Sequence, residues 1–271
     1  MQRKHRTRLG TSSLLGSFQW IYIATLAIAE IEVSFGSLWV GVGVHVGLLV
    51  TVILLASQTC EEKEAKFYQA LTLGPLIRLI SVVLPMSNIP ELLRYSAVSL
   101  PLFIATFTVA RLNNYRASQV YFSLGKAGPQ ILIALAGIPM GLIEYYILRP
   151  VPLISSLAFA NVLTGAVVLL ISTGFLEEVI FRSIMQRAAI DFLGWKRALF
   201  FLSLTFTSLH IIHLSFPDLM FVWAAGVYFS VAVYRSKSIL GVTLAHGLNN
   251  IILYLIAPLL FHLSWGGVHF Q

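Results

Sequence analysis

The sequence predicts an all-α protein, a polytopic bundle of eight or nine transmembrane helices. Of its 271 residues, 58% are hydrophobic and only 11% are charged, and the mean hydropathy is +0.85. A soluble domain would carry about 25% charged residues. The apolar residues are grouped into runs of about 17–25, the length that an α-helix needs to cross a bilayer. Both observations place the chain in a membrane.

Nine apolar runs are candidate spans. The first contains Glu30 and Glu32, and the third contains Pro75 and Arg78, so a count of eight is also compatible with the sequence. The sixth run ends just before Glu177, and a short amphipathic connector is expected after Glu177. The runs cover residues 15–34, 37–56, 68–86, 95–111, 129–148, 155–176, 198–214, 218–234 and 239–261.

Lysine and arginine residues set the expected orientation. With nine spans and a cytoplasmic N-terminus, fifteen of the eighteen basic residues face the cytoplasm, as the positive-inside rule favours. The net charge of +7 is therefore mostly a topology signal, and no nucleic acid is expected as a partner because no binding motif accompanies it. The fifteen are Arg3, Lys4, Arg6, Arg8, Lys63, Lys66, Arg111, Arg116, Lys126, Arg182, Arg187, Lys196, Arg197, Arg235 and Lys237. The chain is thus expected in the cell membrane as a multi-pass protein.

The sequence divides near residue 150. Pro150 and Pro152 disfavour a continuing helix there. Residues 1–150 are predicted to be membrane-scaffold helices, and residues 151–271 a catalytic helical core, because the polar constellations described next all lie in the second part. Cys60 is the only cysteine, so the chain has no internal disulfide and no cysteine-based metal site.

The first constellation is the adjacent pair Glu177 and Glu178, with Arg182 one helical turn later. One interpretation is a solvated helix end, at which Glu178 and Arg182 form an ordinary surface pair worth about 0.3–0.5 kcal/mol. The other gives the two carboxylates different tasks. One, desolvated, is a general base on water, and the other binds Arg182 and holds the geometry.

Two further pairs lie downstream in apolar segments: Phe206 with His210, and His246 with Asn250. The i,i+4 spacing puts the members of each pair on one helix face. In a single pair of this kind, the histidine could be a core residue whose hydrogen bonds are satisfied locally, or the pair could form a hydrogen bond between two helices. Three polar sets in neighbouring spans instead indicate a shared cavity, because polar groups inside lipid are costly without partners.

The chemistry that fits these residues is peptide hydrolysis. A glutamate and a histidine can deprotonate water, while a second histidine and an asparagine donate hydrogen bonds to the oxyanion. Neither Ser172 nor Ser208 lies in a G-x-S-x-G motif, and the chain has no H-E-x-x-H motif. A Zn²⁺ ion held by Glu177, His210 and His246 stays open, since two histidines and a carboxylate form a known catalytic ligand set.

These motifs resemble those of the CAAX protease and bacteriocin-processing (CPBP) family of intramembrane proteases, which includes the Rce1-type CAAX prenyl endopeptidases. Residues 177–182 match E-E-x-x-x-R, residues 206–210 match F-x-x-x-H, and residues 246–250 match H-x-x-x-N. The resemblance implies that the catalytic residues are Glu177 and His210, which activate water, and His246 and Asn250, which form the oxyanion site. Their supporting residues would be Glu178, Arg182 and Phe206. It also implies a glutamate mechanism without a metal cofactor, and a membrane-associated peptide or protein as substrate.

Two other functions use the same residues. One is a non-catalytic, bacteriocin-immunity-type membrane protein. The other is a proton-coupled carrier with the buried glutamate and histidine as a relay, although carriers often have repeated halves and this sequence has none. Arg78 and Glu144, which also lie in apolar segments, are interpreted as structural partners or substrate contacts.

Overall fold

A computed structural model describes residues 11–262, and within this range the chain forms helices and connecting turns without any strand. The predicted all-α class is confirmed. The most N-terminal basic residues used to orient the chain lie outside the described residues; they are Arg3, Lys4, Arg6 and Arg8.

The first part of the chain begins with a helical hairpin, in which two long helices pack against each other across a short turn. A 3₁₀ turn at Ala117–Val120 follows the fifth helix. The helices are α1 (Thr11–Phe35), α2 (Leu38–Gln58), α3 (Glu62–Leu71), α4 (Leu73–Val83), α5 (Glu91–Leu112), α6 (Ala127–Leu135) and α7 (Gly137–Leu148).

The second part contains long helices interrupted by π-helical turns. The helices are α8 (Phe159–Leu169), α9 (Leu176–Glu178), α10 (Gln186–Leu193), α11 (Trp195–Ser208), α12 (Phe216–Ser236), α13 (Leu240–Ile251) and α14 (Ala257–His262). The π-helical turns are Leu170–Phe175, Val179–Met185 and Ile252–Ile256, and a 3₁₀ turn follows α11 at Ile211–His213. The expected connector after Glu177 is wrong: the helix continues to Leu193, and the residues from Val179 to Met185 are all buried.

Prolines explain two of the helix breaks. Pro75 has no N–H to donate to the carbonyl of Leu71, and α3 ends at Leu71. The Tyr22 hydroxyl donates to that free carbonyl instead, at 2.8 Å. Pro139 stands in the same relation to Leu135, at which α6 ends. A buried backbone acceptor thus keeps a partner where the helix is interrupted.

Seven helical segments within residues 11–262 are long and apolar enough to cross a membrane, so a multi-pass membrane protein is supported, whereas the predicted count of eight or nine is not confirmed. The expected span 68–86 is split between α3 and α4. The expected span 198–214 is replaced by α11, whose 14 residues reach about 21 Å, short of a hydrocarbon core of about 30 Å. The cytoplasmic N-terminus stays a prediction. The seven segments are Phe18–Phe35, Leu38–Gln58, Glu91–Leu112, Ala127–Leu148, Phe159–Leu193, Phe216–Ser236 and Leu240–Phe261.

The predicted boundary near residue 150 also stays a prediction, and both parts contribute to one core. The rings of Tyr22 in α1 and Phe201 in α11, for example, lie 5.9 Å apart. α13 packs against the π-helical turn at residues 170–175 and against α6 and α7. A Cβ atom on Gly174 would lie 2.8 Å from the backbone nitrogen of Gly247, so only glycine permits this close approach. It brings the helix of Glu177 against the helix of His246.

Candidate active site

One cavity brings together the four residues predicted to be catalytic. Glu177, His210, His246 and Asn250 all line a space of about 660 Å³, a volume that includes its open mouth. They arrive from α9, from the turn after α11 and from α13, so the three sequence motifs converge although up to 73 positions separate them along the chain. Phe206 also lines the cavity.

The two adjacent glutamates have different environments. Successive residues of a helix point about 100° apart, so one carboxylate faces the cavity and the other faces the core. The side chain of Glu177 is 29% exposed, and that of Glu178 is 0% exposed. Arg182, its partner, is also buried. The interpretation of Glu178 and Arg182 as a solvated surface pair is therefore wrong.

Glu178 connects the side chains of His246 and Arg182. Its Oε1 atom accepts a hydrogen bond from Nδ1 of His246 at 2.8 Å and another from Nη1 of Arg182 at 3.2 Å. A carboxylate only accepts, so Nδ1 of His246 carries the proton of this bond and Nε2 points away from Glu178. That Nε2 atom lies 3.9 Å from Oε2 of Glu177. Glu178 thus sets the ring orientation of His246 within the cavity.

Phe206 packs the site from the side of α11. The guanidinium carbon of Arg182 lies 4.1 Å from the centre of the Phe206 ring, which is cation–π geometry. The rings of His210 and His246 lie 4.5 and 6.4 Å from the same ring, measured between centroids. The first residue of the F-x-x-x-H motif is therefore a shared packing surface for both histidines and the arginine.

His210 is held by its own helix. Its Nδ1 atom lies 2.8 Å from the carbonyl oxygen of Phe206, and a carbonyl only accepts, so Nδ1 donates. His210 lies between the candidate spans, where burial and the neighbouring His213 lower its pKa to about 3. The ring is therefore neutral near pH 7, and its Nε2 atom has a free lone pair. This is the form that can accept a proton from water.

The two asparagines of α13 have different partners. Nδ2 of Asn250 donates to Oγ1 of Thr173 at 2.8 Å, which fixes the side chain at the cavity wall. Asn249 donates to Oε2 of Glu144 and, at 3.2 Å, to Oδ1 of Asn250. Asn250 is thus oriented from both sides, which supports its choice over Asn249 as the donor to a reacting group.

The cavity wall also contains residues outside the three predicted constellations, among them Glu144, which the sequence marked only as a structural partner or substrate contact. Glu144, in α7, is buried and lines the cavity, and His213 lines it while bonded to Asp218 at 2.9 Å. Burial opposes protonation of His213, but the hydrogen bond and charge of Asp218 outweigh it and raise its pKa. The sequence signal for Glu144 was an acidic residue in an apolar run. No sequence motif marks Thr173, whose hydroxyl oxygen accepts the hydrogen bond from Asn250.

The predicted alternative metal set does not form a metal centre in this arrangement. Among residues 11–262, no three His, Cys, Asp or Glu side chains are grouped closely enough to hold a metal ion, and this includes Glu177, His210 and His246. The mechanism without a metal cofactor, which the resemblance implies, stays a prediction.

Comparison with known families agrees with the motifs. Residues 159–252 match the family model described as type II CAAX prenyl endopeptidase Rce1-like. This segment contains every residue of the three constellations and confirms the resemblance drawn from them. Residues 159–252 are thus similar to a protease family, in a chain with seven candidate membrane spans among its described residues. No curated protein and no solved structure matches the chain significantly.

Proposed function

We propose that this chain, which carries the protease segment of the Rce1-like CAAX prenyl endopeptidase family, is an intramembrane endopeptidase that uses a glutamate and a histidine to activate water. The observation that carries the proposal is the convergence of Glu177, His210, His246 and Asn250 on one cavity. The hydrogen-bond partners of His210, His246 and Asn250 support a task for each of them.

Glu177 and His210 are the proposed water-activating pair. Both present proton acceptors to the cavity: the carboxylate of Glu177, and Nε2 of His210, which is free because Nδ1 is bound to Phe206. A water molecule that donates to both directs a lone pair at the carbonyl carbon of a peptide bond. As the new C–O bond forms, Glu177 accepts the proton.

His246 and Asn250 are the proposed donors to the oxyanion. Nδ1–H of His246 already donates a hydrogen bond to Glu178. Donation from Nε2 to the oxyanion therefore requires the doubly protonated ring, and the Glu178 carboxylate stabilises the positive charge of that ring. One amide hydrogen of Asn250 is bound to Thr173, and the amide carries a second. Each oxyanion donor is typically worth about 3–4 kcal/mol. When the tetrahedral intermediate collapses, the C–N bond breaks and Glu177 returns its proton to the leaving amine.

The surroundings of Glu177 favour a membrane-associated peptide or protein as substrate. A second space of about 1300 Å³, including its open mouth, adjoins the site and shares Tyr95, Thr173 and Glu177 with it. Its walls are largely apolar, with Val98 and Ile180 among them. Such a wall suits an apolar segment of a substrate that extends toward Glu177. Under the predicted topology, the scissile bond lies near the cytoplasmic face of the membrane.

The test is cleavage of a library of membrane-anchored peptides by the purified protein, read by mass spectrometry. We expect cleavage by the wild type, loss in Glu177→Ala, and full activity in Glu62→Gln. Glu62 is a suitable control because it is a surface glutamate paired with Lys66. A zinc chelator is expected to leave cleavage unchanged.

Each other outcome points elsewhere. Chelator-sensitive cleavage would contradict the metal-independent mechanism and favour a metal held by Glu177, His210 and His246. Equal inactivity of wild type and Glu177→Ala across the library would contradict the protease proposal. Proton flux through proteoliposomes would then separate a carrier from a non-catalytic immunity-type protein.

A further inference from the structure

A buried ion pair connects α1 with α4. The Nε atom of Arg78 donates to Oε1 and Oε2 of Glu30 at 3.0 and 2.8 Å, and its Nη2 atom lies 2.7 Å from Oε2. The side chains are 9% and 0% exposed. His45 of α2 closes the other side, with Nε2 at 3.4 Å from Oε1 of Glu30. Three helices of the first part of the chain thus fix one guanidinium group.

The same guanidinium reaches the candidate active site. Nη2 of Arg78 donates to the carbonyl oxygen of Leu209 at 2.9 Å. Leu209 directly precedes His210, at the end of α11, where helix carbonyls lack partners from their own helix. α1 also packs against the turn that follows, residues 211–213. The backbone that carries His210 is therefore held from outside its own helix.

We propose that Arg78, fixed by Glu30, is a positioning residue for His210. It holds the Leu209 carbonyl and so sets the place of the His210 ring relative to Glu177. The inference rests on the proposed function and extends it. It assigns a task in the reaction to helices that lie outside the matched residues 159–252.

The shape of arginine is essential to this arrangement. A guanidinium is a rigid fork, so it can bind the Glu30 carboxylate and the Leu209 carbonyl at the same time. A lysine ammonium keeps the charge and can pair with Glu30, but it lacks the fork. Because a displacement of about 1 Å in an active site can cost about 100-fold in rate, even a small movement of the turn would be measurable.

The experiment compares Arg78→Lys with the wild type on a peptide that the wild type cleaves. We expect kcat to fall about 10- to 100-fold, with KM within about twofold. Arg187→Lys is the matched control, since Arg187 forms a partly buried pair with Asp191 away from the cavity, and it is expected to keep wild-type kcat. Thermal unfolding in detergent gives the folded fraction of each variant, and each measured rate is divided by that fraction.

A double variant separates positioning from a general loss of structure. In the His210→Gln background, assayed in single turnover with enzyme in excess, Arg78→Lys is expected to change the rate less than threefold, because the residue it positions is gone. If Arg78→Lys does not fold, Glu30→Asp replaces it, since the shorter side chain keeps the charge opposite Arg78 but fixes the guanidinium less firmly. The expected loss in kcat is then about threefold to tenfold.

The contradicting results are distinct. Wild-type kcat in Arg78→Lys, while His210→Gln is impaired, overturns this inference and leaves the proposed function intact. The same loss with and without His210 shows a structural role only. A raised KM with unchanged kcat shows a direct substrate contact, since Arg78 also lines the adjoining groove. Full activity of His210→Gln removes the proposed role of His210 itself.

Discussion

Replacing Glu178 by glutamine is expected to lower stability and activity together, whereas the same change at Glu177 lowers activity alone. Glu178 is fully buried and accepts hydrogen bonds from two buried groups, the His246 ring at 2.8 Å and the Arg182 guanidinium, a permanent cation, at 3.2 Å. Removing one partner of a buried ion pair typically costs about 3–5 kcal/mol, because the other charge is left uncompensated. Glu177 is 29% exposed, and its nearest cationic atom is 3.9 Å away, so its loss costs less than about 1 kcal/mol.

The assay is thermal unfolding of the two variants in the same detergent, beside a cleavage assay. For a chain of this size, 1 kcal/mol corresponds to about 2–4 °C in Tm. Glu178→Gln is therefore expected to melt about 6–20 °C below the wild type, and Glu177→Gln within about 4 °C of it. Equal melting temperatures for the two variants would refute the division of tasks between the adjacent carboxylates.

Three further predictions follow from the geometry. Gly174→Ala is expected to destabilise the protein by about 1–3 kcal/mol in detergent unfolding, because its Cβ would lie 2.8 Å from Gly247 N; an unchanged Tm would contradict this contact. The pKa of the His210 ring is about 3 in the folded protein and near 6.5 in the unfolded chain. Between about pH 3 and pH 6.5 the ring is therefore protonated only in the unfolded chain, so the free energy of unfolding falls as the pH drops below about 6.5. His210→Gln is therefore expected to reduce the loss of stability between pH 7 and 5 by up to about 2 kcal/mol, and an identical loss in both proteins would contradict a His210 that stays neutral in the folded protein. Cys60, an exposed residue after α2, is expected to resist a membrane-impermeant maleimide in intact cells because the predicted topology places it in the cytoplasm. With nine crossings, a cysteine introduced by Lys126→Cys in a Cys60→Ser chain is expected to resist it too. Labelling of Cys60 would invert the predicted topology, and labelling at position 126 alone would support seven crossings.

The spacing of polar residues in apolar segments was sufficient to predict the members of the candidate site. Glu177, His246 and Asn250 lie in helices and His210 lies in the turn after α11, all in apolar segments of the sequence, and such groups converge because the bilayer offers them no other partners. The roles of Glu178 and Arg182 were harder to predict. Whether an i,i+4 ion pair is exposed or buried depends on the helices packed against it, which local sequence does not contain.

The helix boundaries were less predictable for a related reason. A hydropathy window registers the apolar character of residues 68–86, but it does not register the carbonyl of Leu71, which Pro75 leaves free and Tyr22 satisfies from another helix. Likewise, the π-helical turn at residues 179–185 continues the helix beyond Glu177 because its residues are buried among neighbouring helices. Long-range contacts decided both outcomes. The same holds for Glu144, whose partner Asn249 lies 105 positions away.

The most direct test of the central claim is the rate at which Glu177→Gln cleaves a peptide that the wild type cleaves. Glutamine keeps the size of the side chain but cannot accept the proton of the attacking water. The account predicts a loss in kcat of about 10²- to 10⁴-fold, with Tm retained. Cleavage within about threefold of the wild-type rate would show that Glu177 is not the base, and the assignment of this cavity as a glutamate-dependent hydrolytic site would be wrong.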